Sequence, residues 1–462
     1  MRKSKWFGNR AFYQKLFLVM GPILLQNVIT NFVSLLDNLM VGQVGTEAMS
    51  GVAIVNQLLF IFNLCIFGGL AGAGIFTAQF YGSGDQEGVR HTFRVKWYVG
   101  LAASAVFAAV LLLWGRELIS LFLHEGEEDL DLGATLLAGE EYLRVMLLQL
   151  LPFAVSQIYA STLRECGETV LPMKAGIAAV VVNTVGNYLL IFGKLGLPVL
   201  GIRGAAIATV LSRYVETAII MLWTHRHPLR NPFIVGAYRS LRVPAALLKK
   251  IAVMGTPLLL NEMLWSAGMT MQTQCFSLRG LEVVSANNIS STITNLFMCA
   301  IFAMGSTISI IVGQLLGAGR TEQAVDEDRK LTVFSVLTCI GTGAVMAVVA
   351  PLIPRLYNTT PAVKALAVQF LLVMSVMQPF IAYTNACYFT LRSGGKTIIT
   401  FLFDSAFIWV VCVPVAFVLS RFTDMPILTL FIVVQALELI KCTVGFFMVR
   451  SRRWVNNLTE LG

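Results

Sequence analysis

Apolar residues along this chain run nearly unbroken for twenty or more positions, again and again, and polar and charged residues crowd into the short intervals between the runs. A helix that is apolar on every side belongs in hydrocarbon, and about 20 such residues cross a ~30 Å bilayer core. The runs predict membrane-spanning helices over 16–40, 50–80, 95–116, 142–163, 172–193, 203–224, 250–277, 285–316, 331–354, 365–391, 397–420 and 426–449. The expected fold class is therefore an all-α integral membrane protein with twelve transmembrane helices. Segments 50–80 and 285–316 hold no Asp, Glu, Lys or Arg, and their length means that they tilt, bend or project beyond the bilayer. Pro22, Pro152, Pro257, Pro379 and Pro414 fall within spans and predict bends there.

The pattern also repeats. At a constant offset of 235, Pro22 meets Pro257, Gly45 meets Gly280, Ser50 meets Ser285, Gln79 meets Gln314, Gly82 meets Gly317 and Gly84 meets Gly319. Further on the offset becomes 228, where Thr162-Leu163-Arg164-x-x-Gly167-x-Thr169 matches Thr390-Leu391-Arg392-x-x-Gly395-x-Thr397. Six spans per copy is an even number, so both copies enter the membrane in the same direction. Two parallel-repeat six-helix bundles follow: an N-lobe over 1–225, a cytoplasmic linker over 226–249 and a C-lobe over 250–462. Such duplication is a recurrent construction of secondary transporters. The linker, with Pro228, Pro232 and Pro244, is long enough to let two lobes rock.

Composition and charge sharpen this. In 462 residues, 56% are hydrophobic and 13% charged, about half the charged share of a soluble chain, which excludes a soluble enzyme. Of the 34 Lys and Arg, 25 fall on one side of the predicted membrane. The positive-inside bias places both termini in the cytoplasm, makes the chain a multi-pass protein of the cytoplasmic membrane, and sets the acidic stretch 124–141 outside. The net charge of +9 is accounted for by that topology, and no nucleic-acid partner is expected. The basic segment 1–15 precedes a run too long for a signal peptide, so the first helix is expected to stay. Eight scattered cysteines without a C-x-x-C read as packing thiols, and His225 with His227 makes no metal site. There is no phosphate-binding G-x-x-x-x-G-K-S/T loop and no nucleophile–base set. No cofactor is expected, and the energy comes from an ion gradient, or the flow is passive.

Ionisable residues inside spans are costly and are functional suspects: Asp37, Arg213, Glu216, Glu262, Asp404, Glu438 and Lys441. Arg213 with Glu216 and Glu438 with Lys441 stand three apart and can neutralise each other on one helical face. Asp37 has no basic neighbour within a turn. At ~1.5 Å per residue it lies about 9 Å inside its helix end, and Asn187 and Thr209 lie at the same depth, with Asn183 one turn below Asn187. Asp37, Asn183, Asn187 and Thr209 are expected to line one polar pocket. A desolvated carboxyl there takes a proton, and the carboxylate, amide and hydroxyl oxygens equally suit Na⁺. Apart from Na⁺ at Asp37, no metal is expected. Glu262, Asp404 and the adaptable apolar wall including Trp265 and Met269 are the substrate-binding candidates of the C-lobe.

These residues resemble the multidrug and toxic compound extrusion (MATE) family over essentially the whole chain. The resemblance rests on Asp37-Asn38-Leu39-Met40-Val41-Gly42, the Gly-x-Gly turns after helices two and eight, and the Leu-Arg-x-x-Gly turns after helices four and ten. It also rests on Gly201-Ile202-Arg203-Gly204 opening helix six, and on Arg453-Trp454. It implies cation-coupled antiport, two six-helix bundles around a cleft, export of amphipathic and often cationic organic compounds, and a cation-binding role for Asp37 with Asn183 beside it. Where some members carry a second acid one turn after that Asn, this chain has Asn187, which leaves Asp37 as the titrating group of the N-lobe. The helix-ten acid of some members has no counterpart in 381–390.

The expected protein is a monomeric antiporter that sits in a lipid bilayer and exports a small organic substrate in exchange for H⁺ or Na⁺. A lipid-linked precursor flippase of the same architecture calls for a cationic cleft, whereas the spans, away from the three residues at each end, hold five acids (Asp37, Glu216, Glu262, Asp404, Glu438) against two bases (Arg213, Lys441). A non-transporting membrane scaffold would need neither Asp37 nor a gradient.

Overall fold

The computed structural model describes residues 6–122, 131–357 and 359–459. Within these, the chain forms twelve long helices: α1 (Arg10–Gly42), α2 (Thr46–Ser83), α3 (Gln86–Ser120), α4 (Leu132–Glu165), α5 (Val170–Phe192), α6 (Gly201–Arg226), α7 (Ala245–Ser277), α8 (Leu281–Gly317), α9 (Thr321–Val349), α10 (Pro361–Ser393), α11 (Thr397–Phe422) and α12 (Ile427–Arg450). Eleven are long and apolar enough to cross a membrane. The twelfth, α7, is as long as its neighbours but is diluted by Lys249, Lys250, Asn261, Glu262, Gln272 and Gln274. The chain is a multi-pass, all-helical membrane protein.

Helix ends depart from the expected spans where local chemistry intervenes. The span expected to start at 142 begins ten residues earlier, because Asp131 caps α4 by accepting from Gly133 N at 2.9 Å and Ala134 N at 3.1 Å. Much of the expected outer loop 124–141 is thus helical; its part 124–130 lies outside the described residues. Helix α9 stops at Val349 rather than 354, ahead of Pro351 and Pro354, which cannot donate to a helical ladder. Pro22, Pro257 and Pro379 sit inside α1, α7 and α10. In α4, a tight turn over Leu147–Gln149 precedes Pro152. In α11, two wide π-turns, Leu402–Ala406 and Ile408–Cys412, precede Pro414, which has no N–H to give to a regular helical ladder.

Two compact units are present, and they do not divide at the boundary of the sequence repeat. The C-terminal unit joins residues 250–462 with 1–24 and 78–85; the N-terminal unit comprises 25–77 and 86–249. In the C-terminal unit, Leu16, Val19, Met20 and Ile23 of α1 enter a core with Met304, Ile308, Leu316 and Trp454. Gln79, wholly buried, donates to Ser393 O at 2.9 Å and Asn456 O at 3.2 Å and accepts from Leu458 N at 2.7 Å. Helices α2 and α8 meet backbone to backbone: a Cβ on Gly82 would fall 1.9 Å from Gln314 O, and one on Gly317 would fall 1.9 Å from Gln79 O. Phe370 and Phe431 stack at 4.3 Å in a second cluster with Phe276.

In the N-terminal unit, Phe93, Ile158, Tyr159 and Leu163 are wholly buried. The segment read as a free linker is docked onto this unit. Phe233, Ile234 and Ala237 are buried, and Arg94 donates to Ala237 O at 2.9 Å, Arg242 O at 3.1 Å and Gly236 O at 3.2 Å. Arg90 holds Phe233 O at 3.2 Å, and the Tyr98 hydroxyl donates to Leu241 O. Proline content suggested freedom; the two arginines of α3, which satisfy the carbonyls that a loop leaves open, remove it.

Candidate functional site

The pocket expected around Asp37 forms within the N-terminal unit. Asn187 and Asn183 stand one turn apart on the same face of α5, both buried, and a Cβ on Gly186 would crowd Ala208 at 2.8 Å, so α5 and α6 approach closely beside them. Asn187 Nδ2 donates to Asp37 Oδ1 at 2.7 Å. The Asn183 amide is satisfied at both of its atoms in one orientation only. With its nitrogen toward Asp37 it donates to Oδ1 at 2.8 Å and Oδ2 at 2.9 Å while its oxygen accepts from Thr209 Oγ1 at 3.0 Å. With its oxygen toward Asp37 its nitrogen lies 3.0 Å from Thr209 Oγ1. In that second orientation Thr209 accepts from Asn183 and its single hydroxyl proton goes to Ala205 O at 3.0 Å.

The first orientation suits an ionised Asp37, since a carboxylate only accepts; the second requires a proton or a cation between the carboxyl and the amide oxygen. Among the described residues Asn187 Oδ1 is buried without a hydrogen-bond partner, an open acceptor on the amide that bonds the same carboxyl. Among the described residues Asp37 makes no ion pair. Arg213, whose field reaches it, is engaged with Glu216 Oε2 at 2.9 Å. Tyr142, buried on α4 and bonded to Asn56 Oδ1 at 3.4 Å, is also electrostatically coupled to Asp37. Neither Tyr142 nor Asn56 stood out in the sequence, since an uncharged residue in an apolar run gives no signal.

In the C-terminal unit the expected candidates separate. Asp404 is bound to Lys441 Nζ at 3.0 Å and to Asn261 Nδ2 at 3.2 Å. Lys441, itself buried, also reaches Glu438 at 3.6 Å and lies over the Phe403 ring at 5.4 Å. Glu438 accepts from the Thr384 hydroxyl. Asn261 is further held by Tyr388 OH at 3.3 Å and Ser405 Oγ at 2.7 Å. Glu262 is partly buried and interacts electrostatically with Arg392 and Asp404. Trp265 is partly buried and Met269 exposed, and among the described residues no hydrogen bond joins either to Glu262 or Asp404. A further buried acid, Asp328, is bonded by the Thr390 hydroxyl at 2.5 Å; in the N-terminal unit the repeat-related Thr162 instead receives Lys96 Nζ at 3.1 Å.

A duplicated helical membrane protein with an acid in an amide-lined pocket has the build of a membrane transporter. The model of the MatE family matches residues 22–189 and again 257–418, and the two matches begin at the same 235-residue offset as the repeat. The chain belongs to the MatE family, whose members are transporters and not enzymes. It is 24% identical over 437 residues to a probable multidrug resistance protein NorM of Thermotoga maritima, covering 94% of this chain and 91% of that one. It is 21% identical over 447 residues to an uncharacterized transporter, YisQ, of Bacillus subtilis, covering 95% and 94%. Among solved structures, the Vibrio cholerae MATE transporter VcmN in its bent form superposes with a TM-score of 0.83 at 18% identity, covering 96% and 99%. A transporter of the MOP superfamily from Pyrococcus furiosus superposes with a TM-score of 0.84 at 18% identity, covering 95% of each chain.

Proposed function

We propose that this protein is a secondary antiporter of the cytoplasmic membrane, with both termini in the cytoplasm, that exports small organic and often cationic compounds in exchange for H⁺ or Na⁺. The observation that carries this reading is the Asp37 carboxyl, set in a membrane-spanning helix, supplied with two amides and a hydroxyl but with no cation of its own. Loading Asp37 with H⁺ or Na⁺ turns the Asn183 amide oxygen toward it, and unloading turns the nitrogen back; Asn187 Oδ1 completes the oxygen set in the loaded state. A ligand shifts a conformational equilibrium only by its differential affinity for the two states, and the amide reorientation supplies that difference. Glu262, Trp265, Met269 and Asp404 are the proposed substrate-binding residues of the C-lobe, with Asp404 held by Asn261 and Lys441. The repeat halves 1–225 and 250–462 alternate access as a monomer.

The test is efflux of a fluorescent cationic dye from cells carrying wild type or Asp37→Asn, with H⁺ and Na⁺ gradients imposed separately. Export by wild type under one gradient, lost in the variant, is the expected result and identifies the ion. Absence of export under both gradients turns the cargo toward a lipid-linked precursor or toward a scaffold role, and an active variant removes Asp37 from the mechanism.

A further inference from the structure

The docked segment after α6 carries chemistry that transport does not use. Between Arg226 and Lys249 stand five basic residues, Arg226, Arg230, Arg239, Arg242 and Lys249, and no Asp or Glu. All five are exposed, and among the described residues none of them is in an ion pair. Interleaved with them are exposed apolar side chains, Leu229, Val235, Leu241 and Leu248. The backbone beneath is fixed rather than loose, because Arg94 and Tyr98 hold the carbonyls of Gly236, Ala237, Leu241 and Arg242.

At the end of this segment lies a cavity of about 480 Å³ lined by Tyr98, Ser240, Leu241, Arg242, Val243 and Leu248. One guanidinium and two hydroxyls face three aliphatic side chains. A free anion would satisfy Arg242 and leave Leu241, Val243 and Leu248 wet; an anion joined to hydrocarbon satisfies both. Basic side chains and apolar ones presented together on a pinned backbone suit the boundary between headgroups and acyl chains.

We propose that Arg242 and the cavity around it bind the headgroup phosphate of an anionic phospholipid, with the first acyl carbons against Leu241, Val243 and Leu248 and the neighbouring bases adding long-range attraction. The leaflet follows from the topology proposed above. Binding is read without transport, so failure of the antiport reading and failure of this one are separate results.

The experiment uses the purified full chain in detergent, supplied with dioleoylphosphatidylglycerol, dioleoylphosphatidylcholine or inorganic phosphate, with retained lipid counted by native mass spectrometry and stability followed by thermal unfolding. Wild type is expected to retain the anionic lipid over the zwitterionic one and to be stabilised by it alone. Arg242→Gln is expected to weaken retention about fivefold, the effect of one base near an anionic surface. Tyr98→Phe, which leaves charge unchanged and frees the Leu241 carbonyl, is expected to weaken it too, and Arg116→Gln is expected to leave it unaltered. Equal retention of the two lipids, equal stabilisation by inorganic phosphate, or an Arg116→Gln loss matching that of Arg242→Gln would each overturn the site.

Discussion

Two buried carboxyl clusters, one in each unit, balance their charge in opposite ways. Around Asp37 one carboxyl is surrounded by neutral amides and a hydroxyl, and the nearby Arg213 is already bonded to Glu216. Around Lys441 one ammonium is shared by two carboxyls, Asp404 and Glu438, with Asn261 and Thr384 filling their remaining valences. The first arrangement has no cation fixed on the chain among the described residues, as the proposed coupling role requires. The second supplies its own cation, fixed on the chain, and so behaves as a clamp among α7, α10, α11 and α12. A carboxyl inside a membrane span is therefore a weak indicator of ion binding until its partners are known, and the absence of a resident base separates the coupling candidate from the structural one.

The sharpest way to break this contrast is Lys441→Met. It strands two carboxyls in a low-dielectric interior and is expected to destabilise the protein by about 3–5 kcal/mol, seen as a lower unfolding midpoint in detergent. Adding Asp404→Asn and Glu438→Gln should recover most of that loss. Asp37→Asn in the same assay is expected to cost far less, because relief of a desolvated charge offsets the weakened hydrogen bonds from Asn187 and Asn183; a drop as large as that of Lys441→Met would erase the distinction drawn here.

A smaller effect separates the partners of Asp37 from each other. Asn187→Ala removes a hydrogen bond to a charged group, worth about 1.5–3 kcal/mol. Because that bond favours the charged carboxylate, the H⁺ concentration giving half-maximal transport should fall at least tenfold if H⁺ is the coupling ion, whereas the Na⁺ concentration should rise if Na⁺ takes the Asn187 oxygen. Smallest of all, Thr209→Val removes a neutral hydrogen bond of about 1 kcal/mol, about a fivefold weaker ion dependence that Thr209→Ser restores. If Thr209→Val is as severe as Asn187→Ala, the amide orientation at Asn183 is not set in the way described.

The Asp37 pocket was legible in the sequence because its members follow from two periodicities: equal depth at a fixed rise per residue, and Asn183 and Asn187 one turn apart. The clamp was only half legible. Glu438 and Lys441 are three residues apart and declare themselves, whereas the Asp404–Lys441 bond joins two helices, and no spacing along the chain reports a partner on another helix. Asp328 and Lys96 escaped notice for a further reason: each lies near a helix end among other charges, where a buried ionisable group looks like an exposed one. The repeated Thr162 and Thr390 were visible as a motif, but the opposite charges they bind were not. The twelve helices could be read from the apolar runs, while the docked linker could not, since Arg90 and Arg94 bind carbonyl oxygens, which every loop offers alike.

The backbone crossing of α2 and α8 is symmetric along the chain as well as in space. Gly82 meets Gln314, and Gly317 meets Gln79, and these four residues are two repeat-related pairs. One steric rule therefore governs both copies of the repeat: a side chain on either glycine would strike the backbone of the facing glutamine, so a substitution in one copy is not relieved by the glycine that remains in the other.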